Sequence, residues 1–292
     1  MANLKEIRNR ITSVNSTMQI TSAMKMVSAA KLKRAQDAIT QMKPYAEKLQ
    51  DILSNLSSSL DTSENEYAQE REVKNVLIVG VTSNRGLCGG FNNNVAKKIR
   101  VLAETEFKGA NLTVLPVGKK MIDAVKHTNW VNNDEDLYQH PEEIWNDLTF
   151  ENASKMAETL MEAYKNNSYD KIVVVYNSFV NAATQVVLTE QFLPILPPET
   201  SEETSAIDYV YDPSKKEIVK DLIPNSLKIR LYKALLDSHA SEHGARMTAM
   251  HQATDNATDL RNELQLTYNK ARQAAITNEI LEIVGGAEAL AG

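Results

Sequence analysis

The sequence has almost no cysteine and few aromatic residues. Cys88 is the only cysteine among 292 residues, so an internal disulfide framework is excluded and a reducing compartment is favoured. Aromatic residues make up 6% of the chain, which suits a helix-rich protein with narrow contacts. No segment approaches the run of about 18 apolar residues that a membrane-spanning helix needs. The N-terminus also lacks the pattern of a secretory signal, and we expect no cleaved leader.

A hydrophobic stripe with alternating gaps of three and four residues occupies the first sixty positions. This spacing is typical of the seam of a coiled coil, and it predicts one long helix from about Asn3 to Leu60. The seam consists of Leu4, Ile7, Ile11, Val14, Met18, Thr21, Lys25, Ser28, Leu32, Ala35, Ile39, Met42, Ala46, Leu49, Leu53, Leu56 and Leu60. Only Thr21, Lys25 and Ser28 are polar, and we interpret the interruption as a functional feature of residues 18–30.

Charge is unevenly distributed along the chain. Residues 1–43 carry eight basic and two acidic side chains, a net charge of +6, whereas the whole chain carries −6. The N-terminal stretch is either a solvated helix face or the contact surface of an acidic partner such as nucleic acid, anionic lipid or acidic protein loops. Charge alone does not choose among them.

The middle of the chain alternates strand-like and helix-like segments. Residues 76–81, 111–118 and 171–176 predict strands, and residues 184–192 predict a strand that returns antiparallel to the third. Helices are expected over residues 119–127 and 142–166. This alternation is typical of an α/β layer with a mostly parallel sheet.

The last third predicts a second long helix. Residues 196–212 indicate a loop or edge segment, and Pro213 and Pro224 each fit the first turn of a helical segment. From Pro224 to about Ala289 an apolar seam at three- and four-residue spacing favours another coiled-coil helix.

These observations define the expected fold class and boundaries. We predict an α/β protein in which a long antiparallel two-helix coiled coil, made from both termini, accompanies a central Rossmann-like α/β domain. The domains are residues 1–60 (N-terminal coiled-coil helix), 61–212 (central α/β domain) and 213–292 (C-terminal coiled-coil helix). The two helices would form an elongated stalk that carries a globular lobe.

A glycine-rich segment follows the first predicted strand. Residues 83–92 read SNRGLCGGFN and offer two interpretations: a phosphate-binding loop, or a tight strand-to-helix turn that needs small residues. Neither a G-x-G-x-x-G motif nor a Walker lysine is present, which favours the turn.

The histidines give little support for catalysis. His239 and His243 are four residues apart, a spacing that can bind a metal, but no third ligand is obvious and we interpret them as a surface pair. No Ser-His-Asp or Cys-His arrangement can be defended. The sequence therefore predicts no catalytic residue, no cofactor and no metal site.

Three segments together resemble a known family. They are LKEIRNRI with ITSAMKMVSAAK near the N-terminus, SNRGLCGGFN in the middle, and a C-terminal region that includes ATDNA and LQLTYNKARQAAITNEI. Together they resemble the gamma subunits of bacterial F-type ATP synthases. The resemblance extends over both ends and the centre of the chain, in order.

The resemblance implies a mechanical, non-catalytic role as the central rotor shaft of a proton-transporting ATP synthase. In that family the shaft turns with the membrane c-ring and drives the catalytic beta subunits through successive conformations. The implied partners are three alpha and three beta subunits, the epsilon subunit and the c-ring. The implied location is peripheral, at the cytoplasmic face of the cell membrane, with only indirect membrane contact and no nucleic acid.

The same resemblance supplies candidate contact residues. Lys25 would face acidic loops of beta, Arg272, Gln273 and Thr277 would meet a loop of the alpha–beta ring, and the apolar C-terminal end would sit in a bearing. Met24 and Arg246 complete the set of expected contacts with the alpha–beta ring. Two alternatives stay open: a nucleotide-dependent enzyme that uses the glycine loop, and a coiled-coil protein that binds nucleic acid through its basic N-terminus.

Overall fold

A computed structural model describes the backbone of residues 4–57, 66–69, 71–131, 137–195 and 215–291. Its elements in chain order are α1 (Leu4–Ser57), β1 (Asn75–Val81), α2 (Phe91–Glu104), β2 (Asn111–Val117), α3 (Lys119–Val125), a 3₁₀ helix (Pro141–Trp145), α4 (Phe150–Lys165), β3 (Lys171–Phe179), β4 (Gln185–Leu193) and α5 (Lys215–Ala291). The chain divides into two compact units: Met1–Ser28 with Met247–Gly292, and Ala29–Arg246.

The unit Ala29–Arg246 contains a four-stranded sheet in the order β2-β1-β3-β4. β1 pairs in parallel with both β2 and β3, and β4 pairs antiparallel with β3. The predicted mixed sheet and the antiparallel return of its last strand are therefore confirmed. Because β1 lies between β2 and β3, the loops that follow β1 and β3 meet at one edge of the sheet.

Helices cover both faces of this sheet. Successive residues of β1 point to opposite sides, so Leu77 and Val79 join one core while Val76 and Ile78 join the other. The first core is closed by α4 and the start of α5, and the second by α2 and α3. All four of these β1 side chains are fully buried, as expected for a strand with apolar residues on both faces.

Two helix boundaries differ from the sequence-based predictions. The helix expected over residues 142–166 is interrupted, because Thr149 adopts an extended backbone and its hydroxyl accepts from the Asn152 amide at 3.3 Å, which starts α4. Pro224 lies inside α5 rather than in a first turn. It forfeits one backbone hydrogen bond there, and the burial of Leu227 and Leu231 one and two turns later offsets that loss.

The predicted seam of α1 is confirmed. Every seam residue from Leu4 to Leu49 is buried or half-buried, including the three polar ones. Seam side chains after Leu49, the expected loop at 196–212 and Pro213 lie outside the described part of the chain. No helix among the described residues is long and apolar enough to cross a membrane.

Candidate functional site

Within the unit of terminal segments, α1 and α5 pack against each other. The Arg8 guanidinium donates from Nη2 to the Tyr268 hydroxyl at 2.7 Å, and the hydroxyls of Thr21 and Thr254 lie 2.8 Å apart. Residue numbers rise along α1 as they fall along α5, so the two helices are antiparallel. The predicted antiparallel pairing of the chain ends is thereby confirmed.

Two of the three polar seam residues are satisfied inside this helix pair. Thr21 is 8% exposed and bonds both Thr254 and the Met18 carbonyl, and Ser28 is 2% exposed and donates to the Met24 carbonyl at 2.8 Å. These hydroxyls fit between closely packed helices because they use backbone acceptors of their own helix. The interruption of the seam is thus partly structural, and Lys25 is its one charged member.

Met24 and Lys25 lie beside an outward face of α1. Both side chains are half-buried, and among the described residues no carboxylate forms an ion pair with Lys25. Ile20 and Val27, seven residues apart, are 60% and 57% exposed. This part of α1 therefore presents exposed apolar side chains on its outward face, while Lys25 lies at the half-buried seam beside α5.

Arg272, Gln273 and Thr277 are exposed on α5. The Thr277 hydroxyl donates to the Gln273 carbonyl at 2.9 Å, a bond within the helix that leaves the hydroxyl oxygen able to accept from a partner. The register of the two pairs places Leu4 level with about residue 271, so this segment extends past the described start of α1. The apolar residues that follow are also exposed: Ile276 47%, Ile280 55%, Leu281 63%, Ile283 71% and Val284 50%.

The structure does not bring the predicted contact residues to one place. Lys25 lies about 20 residues along α1 from the level of Arg272, a separation of roughly 30 Å at 1.5 Å per helical residue. Arg246 belongs to the other compact unit. The candidates therefore form a group at Met24 and Lys25, a group at residues 272–277, and the separate Arg246.

Arg246 is buried and bonded within its own unit. Its guanidinium pairs with the Glu242 carboxylate at 2.5 Å and donates from Nη2 to the carbonyls of Arg85 and Gly86 at 3.0 and 3.3 Å. Arg246 is 7% exposed and Glu242 8%. This residue attaches α5 to the glycine-rich segment that follows β1.

That segment, residues 83–92, is held by its own side chains. Asn92 accepts from the Ser83 amide at 3.0 Å and donates to the Cys88 sulfur at 3.2 Å. Burial raises the pKa of the Cys88 thiol, and Arg246 opposes that rise. Leu87 and Gly89 take positive φ angles of 63° and 59°, so the turn is tight.

The chain's own helix covers the sheet edge where nucleotides bind in doubly wound folds. A Cβ on Gly244 of α5 would lie 3.2 Å from Phe179 Cε2 and 3.3 Å from Ala182 Cα, just after β3. The Asn177 amide at the end of β3 donates to the Phe91 carbonyl at 3.2 Å. These contacts place α5 and the start of α2 against the end of β3, which supports the interpretation of residues 83–92 as a tight turn.

The interpretation of His239 and His243 as a surface pair is wrong. His243 is 5% exposed, and its Nε2 lies 3.1 Å from His239 Nε2. His239 stacks on Trp145 with ring centroids 5.7 Å apart. Burial lowers the pKa of His239 to about 4 and that of His243 to about 3. Among the described residues, no group of three or more ligating side chains is placed to hold a metal.

Sequence reasoning missed Glu242 and Thr254. The spacing of four residues between Glu242 and Arg246 on one helix was a usable signal for an ion pair. Its burial was not visible, because the covering loop lies 160 residues away in sequence. The pairing of Thr254 with Thr21 depends on a register that no local pattern specifies.

Comparison with known families matches almost the whole chain. A family model described as ATP synthase matches residues 3–290. The ATP synthase gamma chain of Christiangramia forsetii is 61% identical, and that of Flavobacterium johnsoniae is 62% identical, each alignment spanning 100% of both chains. The ATP synthase gamma chain of Geobacter metallireducens is 43% identical over 100% of both chains.

Solved structures share the fold at lower identity. A chain of the Euglena gracilis mitochondrial ATP synthase, described with OSCP, F1 and c-ring in rotational state 3, has a TM-score of 0.64 and 22% identity, covering 98% of this chain and 94% of that one. A chain of the Tetrahymena thermophila mitochondrial ATP synthase, described as central stalk and c-ring, has a TM-score of 0.53 and 23% identity, covering 80% and 99%.

Proposed function

The chain belongs to the family of ATP synthase gamma chains, and on that premise we propose that it is the central rotor shaft of an F-type proton-transporting ATP synthase. The observation that carries this function is the family match over residues 3–290. The antiparallel pair of chain ends supports it, because a helix pair is a stiff element that can transmit force. Its partners are three alpha and three beta subunits, epsilon and the c-ring.

The subunit is non-catalytic in this proposal. Arg246 and Gly244 of α5 occupy the sheet edge at which a doubly wound fold would bind a nucleotide. The nucleotide sites then reside in other polypeptides, and this chain changes their conformation by contact. It works at the cytoplasmic face of the membrane, as a peripheral subunit held through the c-ring.

Met24 and Lys25 form the first proposed contact with the ring. Lys25 has no ion-pair partner among the described residues, so its charge is available to acidic loops of beta. A charged contact that is only partly desolvated orients the two surfaces as they meet but adds little binding energy. Such a contact suits a shaft that must pass three equivalent sites in turn.

Arg272, Gln273 and Thr277 form the second proposed contact. They lie beyond the level of the described start of α1, and their exposed side chains offer hydrogen bonds to a loop of the alpha–beta ring. The exposed apolar residues 280–284 would occupy a bearing around the end of α5. Arg246, which faces the glycine loop, would act on the ring through that loop, with exposed Arg85 and Leu87 as its outer side chains.

Co-expression with alpha and beta subunits tests this proposal. An affinity tag on this chain should recover an assembly of alpha, beta and gamma near a ratio of 3:3:1, with ATPase activity that the isolated chain lacks. Recovery of the chain alone would contradict the proposal. ATP hydrolysis by the purified chain would favour the nucleotide-dependent alternative. Salt-dependent retention on DNA, well above that of a charge-matched control, would favour nucleic-acid binding.

A further inference from the structure

Two histidines of α5, the half-buried His239 and the buried His243, lie in a short chain of hydrogen bonds that ends at the glycine loop. His239 Nε2 is 3.1 Å from His243 Nε2, and His243 Nδ1 is 3.4 Å from Arg246 Nη1. Arg246 in turn donates to the carbonyls of Arg85 and Gly86. From this geometry we propose that His239 and His243 are a proton-binding pair that releases Arg246 from the loop when it takes up a proton.

The donor roles in this chain follow from chemistry. A guanidinium only donates, so Arg246 must donate to His243 Nδ1, and the proton of neutral His243 then resides on Nε2. His243 Nε2 therefore donates to His239 Nε2, whose own proton resides on Nδ1. Every nitrogen on the path is already committed as a donor or an acceptor.

An added proton has no position in this arrangement that preserves all the bonds. On His243 Nδ1 it would face the Arg246 guanidinium, and on His239 Nε2 it would face the proton that His243 donates. Either outcome places a positive imidazolium beside Arg246 in a buried site. Moving Arg246 away relieves that repulsion, and the carbonyls of Arg85 and Gly86 then lose their donor.

The surroundings favour the neutral pair. Lys31 of α1 and Arg246 oppose a charge on either imidazole, and burial opposes it most. Trp145 stacks on His239 and brings no charge. The other titratable groups near Arg246 are Glu242 of α5 and Arg85 and Cys88 of the glycine loop.

The sign of the pH dependence follows from the direction of these shifts. Both imidazole pKa values are lower in the folded chain than the ordinary 6.5, so folding excludes protons that the opened site binds. The stabilisation is complete above pH 6.5 and declines as the pH falls towards 4. Burial raises the pKa of Glu242, whose own effect on stability has the opposite sign.

Cys88 provides a local readout because it is the only thiol and is buried in the loop. The full-length chain would be treated with 4,4′-dithiodipyridine between pH 7 and pH 5, and each rate divided by that of the urea-unfolded chain at the same pH. One imidazole with a pKa of about 4 when closed and 6.5 when open should raise the accessible fraction roughly 20-fold.

Matched variants distinguish the effect of the His239–His243 pair on Cys88 accessibility from the effects of other titratable groups. His239→Gln with His243→Gln keeps hydrogen-bonding capacity without the titration, and we expect its Cys88 accessibility to be flat over this range. His127→Gln, at an exposed position of the same unit, should behave as the unchanged chain does. Equal pH dependence in the double variant and the unchanged chain would overturn the proposal.

A second measurement applies even if the double variant does not fold. Imidazole NMR signals of the full-length chain report protonation directly. They would be assigned by comparison with spectra of the single histidine variants, including His127→Gln. Two imidazoles should stay neutral down to about pH 5. Titration of both buried imidazoles near the ordinary value of 6.5 would overturn the proposal.

Discussion

Lys25 is a positive charge at a half-buried seam position with no ion-pair partner among the described residues. We predict that Lys25→Glu leaves the free energy of unfolding within about 1 kcal/mol, because the side chain is not locked into the helix pair. It should lower ATP-driven proton pumping per ATP hydrolysed severalfold, because the new charge repels acidic loops. Urea unfolding and pumping by reconstituted enzyme measure the two effects.

Lys33→Glu is the control for Lys25→Glu, since Lys33 is also on α1 but is exposed, and its ion pair among the described residues is with Asp37, four residues along the same helix. Its pumping should stay near that of the unchanged enzyme. If Lys25→Glu strongly lowered the free energy of unfolding of the isolated chain but left pumping by the assembled enzyme normal, Lys25 would act in packing rather than in partner contact.

Arg246 is buried opposite Glu242, so its loss leaves a carboxylate without a counter-charge. We predict that Arg246→Met lowers the free energy of unfolding by about 3–5 kcal/mol. Adding Glu242→Gln should recover part of that loss, because the second change removes the orphaned charge. Urea unfolding of the single and double variants measures both.

Arg272→Met provides the comparison for Arg246→Met, because Arg272 is exposed on the same helix. Its effect on stability should stay within about 0.5 kcal/mol. A loss at Arg246 as small as that expected at Arg272 would mean that the bonds of Arg246 to Glu242 and the glycine loop contribute nothing to stability.

At the scale of elements, the Thr21–Thr254 pair connects α1 to α5. Each hydroxyl can also donate to a carbonyl of its own helix, that of Met18 for Thr21 and that of Met250 for Thr254, so neither is left without a partner when the other is removed. We predict that Thr21→Val or Thr254→Val costs less than about 1 kcal/mol and that the double variant is neutral or more stable. Thermal unfolding measures all three.

Thr12→Val is the matched control for the threonine pair. Thr12 is exposed on α1 and its hydroxyl donates only to the Arg8 carbonyl at 3.1 Å. We expect almost no change in the unfolding temperature there. A loss of more than about 2 kcal/mol in the Thr21→Val, Thr254→Val double variant would show that the hydroxyl pair is essential to the helix pair.

Periodicity predicted the elements wherever one local signal dominated. The apolar run at residues 76–81 was expected to be a strand buried on both faces, and the α1 seam was long enough to fix both helix and phase. The break before α4 was missed because a single capping hydroxyl, Thr149, outweighs the amphipathic pattern on either side. Pro224 was misplaced because tertiary packing retains it inside a helix.

The sequence predicted the candidate contact residues correctly only where their solvent exposure could be inferred from the local helix pattern. Arg272, Gln273 and Thr277 are exposed, as contact residues must be. The burial of His243 and Arg246 was not predictable, because α1, the 3₁₀ helix and the glycine loop reach them from distant parts of the chain. Whether any of these residues touches another subunit stays a prediction.

At the scale of the whole molecule, we expect the end of α5 to matter for the assembled enzyme but not for the folding of the chain. We predict that deleting residues 281–292 changes the unfolding temperature by less than about 2 °C, because the described residues removed are exposed. Rotation and coupling of the assembled enzyme should fall, since the proposed bearing contact would be lost. Calorimetry of the chain and rotation of single assemblies measure the two outcomes.

A longer deletion is the counterpart of this truncation. Removing residues 268–292 takes away Tyr268, which accepts from Arg8, and should lower the unfolding temperature clearly. A chain that loses its α/β fold after the shorter deletion, yet still rotates in assemblies, would contradict this division of roles.

The pairing of the chain ends has a consequence for biosynthesis. Arg8 and Tyr268 are 260 residues apart, so the first helix leaves the ribosome long before its companion is made. At about 5–20 residues per second, that interval is roughly 13–52 s. Throughout it, Ile7, Ile11 and Val14 are bare to water on the nascent polypeptide. Transcripts truncated before the final codons would therefore yield chains whose apolar α1 seam stays exposed, and an exposed apolar patch of this kind favours aggregation.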